Sequence, residues 1–535
     1  MILERELKFR LAAERDAVAV HEAIAGAGFA LEPTATLVHE DRYLDTDDWL
    51  LYRAGVALRL RTEGGRTRLE AKTLRSSSDE ALERTEWAQD APGGDPPWEA
   101  LVDGPVAALL APLASLRATP RLRVVARVRC ERESWRWLRG AEALGSVTVD
   151  RVGLAPVEGA ATAAAGDAAA GAGAGAAPDT NGHHPQVHYR EVEIETLNGA
   201  NEALGAVRRA IEDGLGIAAS AETKFEAALR ASGAALPERN ESAFVLSPAD
   251  RLVDVVYKTL GRHFTRLLWH EPGTRVGVDP EYVHDMRVAS RRLRTALEVF
   301  AGEIAPDVRD ALVEDLRRVG RALGRVRDTD VLLQRVAAMR AEAPALERPA
   351  LDVFARSLEI ARARARTGLL ERLDSERYAA LVSAARGWIG AGPPRATLGS
   401  SAGTPAYFAA RRMIPEQVQA LREAYEKAER TLEPGDLHAT RIAAKKARYT
   451  IEYFAGLEGD AAARRARRFA RFQDFLGERQ DTVTLLGRMR KYARSVPHED
   501  RELALAVGSV LGHLERIART RRGDLRHAWE ELGEG

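Results

Sequence analysis

The chain contains a single cysteine, Cys130, among its 535 residues. One thiol cannot form an intramolecular disulfide, and it cannot supply the several sulfur ligands of a cysteine-based metal site. Long apolar runs are also missing, since no stretch approaches the roughly 18 apolar residues that cross a membrane. Charged residues appear almost at once, so the pattern of a secretory signal is absent and a cytoplasmic protein is expected.

The chain has no net charge, but this balance hides an asymmetry. Residues 1–240 contain 28 Lys and Arg against 37 Asp and Glu, a net charge of −9, so the remainder carries +9. A basic C-terminal part suggests a polyanionic partner. Aromatic residues make up only 6% of the chain. Because they do not interleave with the basic residues, as single-strand recognition prefers, nucleic acid is the weaker expectation.

Short charged rows recur at alternate positions in the N-terminal part, beginning with Glu4, Glu6 and Lys8. Alternate side chains of a β-strand share one face. The later rows are Arg59 and Arg61, Glu70 and Lys72, Arg84 and Glu86, Arg127 and Arg129, and Glu191, Glu193 and Glu195. For any single row, a polar face turned to water is the simpler interpretation. An antiparallel sheet closed into a barrel would instead gather them around one polar interior, suited to a divalent metal and a chain of phosphates.

Changes in composition divide the chain. The run at about 155–184 is rich in Ala and Gly and is predicted to be a disordered insertion between two strands. Beyond 236–240 the apolar period becomes helical, and a Gly/Pro/Ser-rich break at about 390–405 divides the helical part. The predicted divisions are a domain over 1–235 and a domain over 241–535, with repeats at about 245–390 and 405–530.

The helical part contains an internal repeat. The segment that begins at His284 matches the one that begins at His438, and a second match follows downstream at nearly the same offset. Cations at positions 3, 7 and 10 after each histidine share a helix face about 80° wide. Like charges in a row are unfavourable unless an anion lies across them, although neighbouring acids could also neutralise them. The candidate residues are His284, Arg287, Arg291, Arg292 and Arg294, and His438, Arg441, Lys445, Lys446 and Arg448.

Taken together, these motifs resemble a CYTH domain, of the triphosphate tunnel metalloenzyme superfamily, followed by a CHAD domain. The CYTH resemblance is carried by Glu4-Arg5-Glu6-Leu7-Lys8, Tyr43-Leu44-Asp45-Thr46, Leu58-Arg59-Leu60-Arg61, Leu69-Glu70-Ala71-Lys72 and Val192-Glu193-Ile194-Glu195. The duplicated stripe resembles the CHAD domain, whose members bind inorganic polyphosphate. The resemblance implies an α+β protein, with an N-terminal eight-stranded antiparallel β tunnel and a C-terminal all-α domain of two duplicated helical bundles.

The resemblance also implies roles for individual residues. Mg²⁺ or Mn²⁺ would be held by Glu4, Glu6, Glu193 and Glu195, with Asp150 as a further acidic participant. Triphosphate would be bound by Lys8, Arg59, Arg61, Lys72, Arg84, Arg127 and Arg129. The implied catalytic residues are Glu4, Glu6, Lys8 and Lys72, and polyphosphate would bind the two stripes of the helical part.

The expected function is an inorganic triphosphatase that hydrolyses tripolyphosphate to pyrophosphate and phosphate. Its helical domain would bind long-chain polyphosphate, with association to polyphosphate granules. One alternative is a non-catalytic polyphosphate-binding protein, against which the tunnel acids argue, because carboxylates would weaken capture of a polyanion. Another is an enzyme acting on an organic triphosphate, either thiamine triphosphatase or adenylate cyclase. Four tryptophans keep that alternative open, namely Trp49, Trp87, Trp135 and Trp137.

Overall fold

In the computed structural model of the chain, the described residues are 2–11, 15–74, 82–91, 98, 103–116, 121–155, 187–196, 201–232, 241–393, 403–497, 500–518 and 522–533. They form two compact units. The first comprises Met1–Glu238 with Pro272–Asp279, and the second comprises Arg239–Glu271 with Pro280–Gly535. No helix in the described part of the chain combines the length and the apolarity that a membrane crossing requires.

The first unit contains a closed barrel of eight antiparallel strands. The strands are β1 (Ile2–Leu11), β2 (Ala30–Asp45), β3 (Val56–Glu63), β4 (Arg66–Thr73), β5 (Leu82–Asp90), β6 (Arg123–Arg139), β7 (Glu142–Ala155) and β8 (Val187–Thr196). Their order around the barrel is β1-β5-β4-β3-β2-β6-β7-β8. Because the first strand pairs with both β5 and β8, the sheet has no free edge. The predicted antiparallel tunnel is confirmed.

Helices pack on the outside of this barrel. They are α1 (Arg15–Gly26), α2 (Leu50–Arg53), α3 (Pro105–Leu110) and α4 (Asn201–Leu215). The first and fourth of these helices bury apolar residues such as Val20 and Val207 against outward-facing Phe9 and Val192. The strands therefore carry apolar side chains outwards and charged side chains inwards. This inversion of the usual alternation turns the predicted charged rows towards the interior.

A fifth helix, α5 (Lys224–Ala231), fills one end of the barrel. Its Phe225 and Leu229 pack with the inward-facing Val128 and Val152. The helix begins with a capping box, in which the Thr223 hydroxyl accepts the backbone N–H of Glu226 while the Glu226 carboxylate accepts the backbone N–H of Thr223. This cap places the first residue of α5, Lys224, at the border between the apolar plug and the polar interior.

Gly145 allows strands β7 and β8 to approach closely beside Glu195. A Cβ atom at this position would lie 1.8 Å from the carbonyl oxygen of Glu195 and 2.4 Å from the indole Nε1 of Trp137. That indole donates a hydrogen bond of 3.0 Å to the same carbonyl. Any side chain would displace backbone rather than a flexible group, so we expect glycine to be required here.

Replacing Gly145 with alanine is therefore expected to lower the free energy of unfolding by about 2–4 kcal/mol. Chemical denaturation monitored by tryptophan fluorescence measures this loss. Gly214→Ala is the matched control, because a Cβ at this helical position meets nothing within 4 Å. Equal stability of the two variants would show that the strands can separate without cost at this point.

The second unit is entirely helical in its described elements apart from short turns. Its helices are α6 (Leu252–Val276), whose residues from Pro272 onwards belong to the first unit, α7 (Pro280–Val299), α8 (Pro306–Glu342), α9 (Arg348–Leu373), α10 (Glu376–Gly390), α11 (Ala406–Thr431), α12 (Pro434–Tyr453), α13 (Ala455–Glu458), α14 (Asp460–Ala493), α15 (Arg501–Ala518) and α16 (Arg522–Leu532). One apolar core joins the two halves. Leu293 and Leu323 from the first half and Ile451 and Phe469 from the second contribute to it.

The duplication is visible in three dimensions. In the first half, Tyr257 of α6 stacks on Trp388 of α10 with ring centroids 4.2 Å apart. In the second half, Tyr425 of α11 stacks on Trp529 of α16 at 4.1 Å. Each half thus joins its first and last helices through a Tyr–Trp stack, and the helices that carry the two stripes, α7 and α12, have 20 residues each. The predicted all-α domain of two duplicated bundles is confirmed.

Two sequence predictions remain to be placed. The Ala/Gly-rich insertion at about 155–184 falls almost wholly outside the described residues, apart from Ala155, where β7 ends. The domain boundaries at 1–235 and 241–535 stay predictions.

Candidate functional site

Charged side chains line the inner face of the barrel. Alternation along each strand brings every second residue to this face, and a cavity of about 200 Å³ lies between them. The charged residues that line the cavity are Lys8, Arg59, Arg61, Lys72, Arg84, Glu86, Arg132, Glu193, Glu195 and Lys224. The rows on β1, β3, β4, β5 and β8 therefore meet inside one enclosure.

Three carboxylates form a first acidic cluster. One oxygen from each of Glu6, Glu193 and Glu195 lies within 4.8 Å of the others. Glu6 is buried, and its Oε1 lies 3.6 Å from Lys8 Nζ and 3.7 Å from Lys72 Nζ. Its Oε2 is also buried and has no hydrogen-bond partner among the described residues. A divalent cation would satisfy this costly unpaired oxygen, and Mg²⁺ and Mn²⁺ prefer oxygen ligands. The cluster fits such an ion.

A second acidic cluster comprises Asp150, Glu191 and Glu193. Lys224 Nζ lies 2.8 Å from Asp150 Oδ2 and 2.8 Å from Glu193 Oε1, and it also contacts Glu191. Arg132 donates two hydrogen bonds to Asp150, of 2.7 and 2.6 Å, and one of 2.7 Å to Glu193. Burial opposes ionisation of Glu193, but Lys224 and the other cations outweigh it and hold the pKa of this carboxyl well below its usual value.

A third network lies on strands β2, β3 and β4. Arg61 binds Asp41 through two hydrogen bonds of 2.8 Å each, and Arg59 Nε donates one of 2.9 Å to Glu70. Burial disfavours the charge on Asp41, yet the two arginines outweigh it and lower the pKa of this carboxyl. Burial and Arg61 together lower the pKa of nearby His39 to about 3, so this imidazole is neutral. The carboxylates of Asp41 and Glu70 thus fix the guanidinium groups of both arginines beside the cavity.

Glu4 and Arg84 are predicted site residues on neighbouring strands. Glu4 lies in β1 opposite Arg84 in the strand pairing, and the Glu4 side chain falls outside the described part of the molecule. The Arg84 side chain is buried; its Nη1 lies 3.5 Å from Glu6 Oε1, and its Nη2 donates to the carbonyl of Ala221 at 3.2 Å. The role of Glu4 as a metal ligand stays a prediction.

The structure corrects the placement of Arg127 and Arg129. Arg127 is exposed, and Arg129 lies 3.4 Å from the exposed carboxylate of Glu40 on the outer face. The inward-facing residues of β6 have even numbers, among them Cys130 and Arg132, both of which lie close to Asp150. A shift of one residue exchanges the two faces of a strand. For this row, the simpler interpretation of a solvated polar face was the correct one.

Three inward-facing charges were missed in the sequence. Asp41 lies two residues before the inward-facing Tyr43 on β2, and Arg132 lies two residues after the inward-facing Cys130 on β6. Strand parity could have identified both residues if the inward face of each strand had been known. Lys224 could not be found in this way, because it belongs to a helix and no strand period marks it. Its position depends on how α5 enters the barrel.

In the helical unit, the two predicted stripes face each other on α7 and α12. The side chains that influence one another electrostatically are Arg287, Arg291, Arg441, Lys445 and Arg448, which we call the cation cluster. Lys445 has no hydrogen bond and no ion pair among the described residues. Burial, followed by the surrounding arginines, lowers the pKa of this ammonium to about 7. Acids neutralise part of the cluster, since Arg287 lies 3.3 Å from Asp328 and Arg448 lies 3.6 Å from Glu452. The remaining members, Arg291, Arg441 and Lys445, form no ion pair within the described part of the chain.

Other predicted stripe residues are paired. Arg292 contacts Glu452, Lys446 lies 3.4 Å from Glu298, and Arg294 lies 3.9 Å from the same carboxylate.

The two histidines at the heads of the stripes differ. His438 is exposed, whereas His284 is half-buried. Burial and the nearby Arg327 lower the pKa of His284, so this imidazole is neutral at pH 7. The two halves thus present unequal groups at equivalent positions.

Tyr449 connects the two helices that carry the cation cluster. Arg291 Nε of α7 donates a hydrogen bond of 2.9 Å to the Tyr449 hydroxyl of α12. The guanidinium groups of Arg292 and Arg448 lie 4.5 and 5.0 Å from the centre of the same ring. One buried tyrosine thus holds arginines of both repeats in place.

Comparison with known families agrees with this architecture. The family model of the CYTH domain matches residues 3–226, and that of the CHAD domain matches residues 258–490. The chain is therefore a CYTH domain followed by a CHAD domain, as its motifs predicted.

Individual relatives are more distant. The uncharacterized protein MT2285 of Mycobacterium tuberculosis (strain CDC 1551 / Oshkosh) is 29% identical over 234 residues, which are 43% of this chain and 44% of that protein. The chain thus spans less than half the length of the curated relative that it matches. The crystal structure of the CHAD domain from the plant Ricinus communis is 26% identical, covers 56% of this chain and 96% of that chain, and has a TM-score of 0.46. PptA from Streptomyces chartreusis is 18% identical, with coverages of 54% and 100% and a TM-score of 0.42.

Proposed function

We propose that the barrel is a metal-dependent inorganic triphosphatase, which hydrolyses tripolyphosphate to pyrophosphate and phosphate. The observation that carries the proposal is that Glu193 and Glu195, which form the first acidic cluster with Glu6, line one cavity of about 200 Å³ together with several Lys and Arg side chains. Carboxylates alone would repel a triphosphate, and cations alone would bind it without chemistry. Together they suit a substrate that arrives with a divalent ion.

The roles follow from position. Glu6, Glu193 and Glu195 would hold Mg²⁺ or Mn²⁺, which when bound neutralises phosphate charge as a P–O bond loosens. Lys8 and Lys72 lie beside Glu6, where they can bind the phosphate oxygens that the ion leaves free.

The opposite wall of the cavity supplies guanidinium groups from Arg59, Arg61 and Arg132. Each is held by carboxylates and is thus positioned before a substrate enters. Positioned charge of this kind is the main source of catalysis in phosphoryl transfer.

The cavity offers no free aromatic surface among its described residues. Its two aromatic lining residues, Tyr43 and Phe225, stack on each other with ring centroids 4.8 Å apart and are 4% and 2% exposed. The four tryptophans considered in the sequence do not line it. A nucleobase or a thiazolium ring would therefore find no stacking partner there, which favours an inorganic substrate over ATP or thiamine triphosphate.

We propose that the cation cluster of the helical unit binds long-chain polyphosphate. Three members of this cluster have no acidic partner among the described residues, namely Arg291, Arg441 and Lys445. Their mutual repulsion is relieved when an anion lies across them, and the regularly spaced phosphates of a polymer can follow such a row of cations. Binding of this kind would place the protein at polyphosphate granules.

The decisive test is phosphate release by the purified full chain with Mn²⁺ or Mg²⁺. Tripolyphosphate, ATP, thiamine triphosphate and long-chain polyphosphate are compared, and orthophosphate, pyrophosphate and cyclic nucleotide are measured separately. We expect orthophosphate and pyrophosphate from tripolyphosphate at the highest kcat/KM. Cyclic nucleotide formed from ATP would instead identify a cyclase. If none of the four substrates released phosphate in the presence of metal, the protein would be a binding protein.

A pair of variants on one strand sharpens this test. Arg132→Lys keeps the charge but loses the two-pronged contact, and we expect kcat/KM for tripolyphosphate to fall about tenfold. Arg129→Lys, on the outer face of the same strand, should leave it unchanged. Equal effects of the two substitutions would contradict the assignment of the inner face.

A further inference from the structure

A fully buried tyrosine lies between the two stripes of the helical unit. The hydroxyl of Tyr449 on α12 accepts a hydrogen bond of 2.9 Å from Arg291 Nε on α7. The guanidinium groups of Arg292 and Arg448 lie beside the ring of the same side chain, 4.5 and 5.0 Å from its centre. Tyr449 therefore contacts Arg291 through its hydroxyl and the other two arginines through its ring.

The three arginines differ in the charge of their partners. Glu452 contacts Arg292 and lies 3.6 Å from Arg448, so a carboxylate offsets part of the charge of this pair. Arg291 forms no ion pair within the described residues, and its hydrogen bond goes to a phenol. Because a protonated hydroxyl carries no charge, Tyr449 orients Arg291 and leaves its positive charge available to an anion.

The hydrogen bond at Nε also determines which donors of Arg291 remain. A guanidinium group donates from Nε, Nη1 and Nη2, and the phenol takes the donor on Nε. The donors on Nη1 and Nη2 have no partner in the part of the chain that the structure describes. These two nitrogens form a planar fork, which matches the spacing of two phosphate oxygens.

The first stripe has no equivalent of this tyrosine. At the offset between the two stripes, Tyr449 corresponds to Thr295 of α7, and Arg291 corresponds to Lys445. Lys445 has no hydrogen bond and no ion pair with any described residue. At this pair of equivalent positions, one stripe thus carries an oriented guanidinium group and the other carries an ammonium that no described side chain orients.

We propose that Tyr449 is a positioning residue of the polyphosphate site, which fixes Arg291 as the anchor for one phosphate group of the polymer. The inference rests on the proposed binding of polyphosphate by the cation cluster, but not on hydrolysis in the barrel. Tyr449 is buried and acts only through Arg291. A guanidinium group that is already oriented loses less conformational freedom when an anion binds, and the affinity is higher for this reason.

Tyr449→Phe removes the hydroxyl and keeps the ring, so it tests the contact with Arg291. We expect the Kd of the full chain for labelled polyphosphate, measured by fluorescence anisotropy, to rise about fivefold. Tyr453→Phe is the matched control on the same helix, because the Tyr453 hydroxyl donates a hydrogen bond of 2.9 Å to a backbone carbonyl, that of Arg292. This control loses a comparable buried hydrogen bond and should lower the Tm while keeping the wild-type Kd.

A double-mutant cycle determines whether Tyr449 acts through Arg291. Arg291→Gln removes the charge, and in this background Tyr449→Phe should have no further effect on the Kd. Arg291→Lys keeps the charge but loses the Nε–H donor, and it should weaken binding about as much as Tyr449→Phe does. Arg291 is only half-buried, so this variant tests the same contact even if Tyr449→Phe failed to fold.

Three results would overturn the proposal: an unchanged Kd in Tyr449→Phe, an undiminished effect of Tyr449→Phe in the Arg291→Gln background, or equal losses of affinity in Tyr449→Phe and Tyr453→Phe. The last result would show that the buried hydroxyls act on packing and not on Arg291. Failure of the proposed polyphosphate binding is a different observation, because the wild-type chain itself would then leave the anisotropy unchanged.

Discussion

Replacing Glu6 with glutamine is expected to lower metal-dependent phosphate release from tripolyphosphate by about 100-fold and to weaken Mn²⁺ binding. Glutamine has the shape of glutamate but lacks the charge that attracts the ion. The substitution also leaves Lys8 and Lys72 without the carboxylate that lies 3.6 and 3.7 Å away. Steady-state kinetics over a range of Mn²⁺ concentrations measures both effects, as kcat at saturating metal and as the metal concentration that gives half-maximal rate.

A matched control for this substitution lies on the outside of the same barrel. Glu32 pairs with Arg136 at 2.6 Å, and both side chains are more than half exposed. Glu32→Gln makes the same chemical change and should leave rate and metal dependence unaltered. If Glu6→Gln had the same rate and the same metal dependence as Glu32→Gln and the wild type, the first acidic cluster could not be the metal site.

Replacing Lys445 with glutamate is expected to weaken binding of long-chain polyphosphate about 100-fold at low salt. The change removes a cation from the centre of the cation cluster and inserts an anion that Arg441 and Arg291 would bind in place of phosphate. Fluorescence anisotropy with labelled polyphosphate measures the Kd. Lys491→Glu, at an exposed position of α14, makes the same change in net charge and should have a small effect.

The same lysine predicts a dependence on pH. Its pKa of about 7 means that the ammonium is largely protonated at pH 6 and largely neutral at pH 8. Only the protonated form attracts phosphate, so affinity should fall as pH rises, by about tenfold between pH 6 and pH 8. In Lys445→Arg the charge persists and the pH dependence should flatten. A wild-type affinity that is constant over this range would show that Lys445 does not contact the polymer.

Much of the fold could be predicted because its signals are local. The alternation of Glu6 and Lys8, and of Arg59 and Arg61, marks strands whose charged residues share a face, and such periods depend only on neighbouring backbone geometry. Duplication of the helical stripe can likewise be seen without knowing how its helices pack. These patterns predicted the barrel, the two bundles and most of the charged residues that line the cavity.

The prediction that Arg127 and Arg129 face the interior was wrong because alternation along a strand does not show which of its two faces is turned inwards. On β6, both Arg129 and Arg132 occur in alternating rows, and only the pairing with β7 decides which row faces Asp150. Pairing decides the face because one residue of register exchanges the inside and the outside of a strand.

The sequence by itself determined which residue types were available and on which local faces they lie: carboxylates and cations on strands, then cations repeated on two helices. The tertiary structure alone decided which of them meet. Lys8 and Glu193 are 185 residues apart in the chain and form an ion pair of 2.5 Å, while the helix that carries Lys224 inserts this residue among acids of two strands. Contacts of this kind depend on chain closure and burial over long sequence distances, for which no short-range period exists.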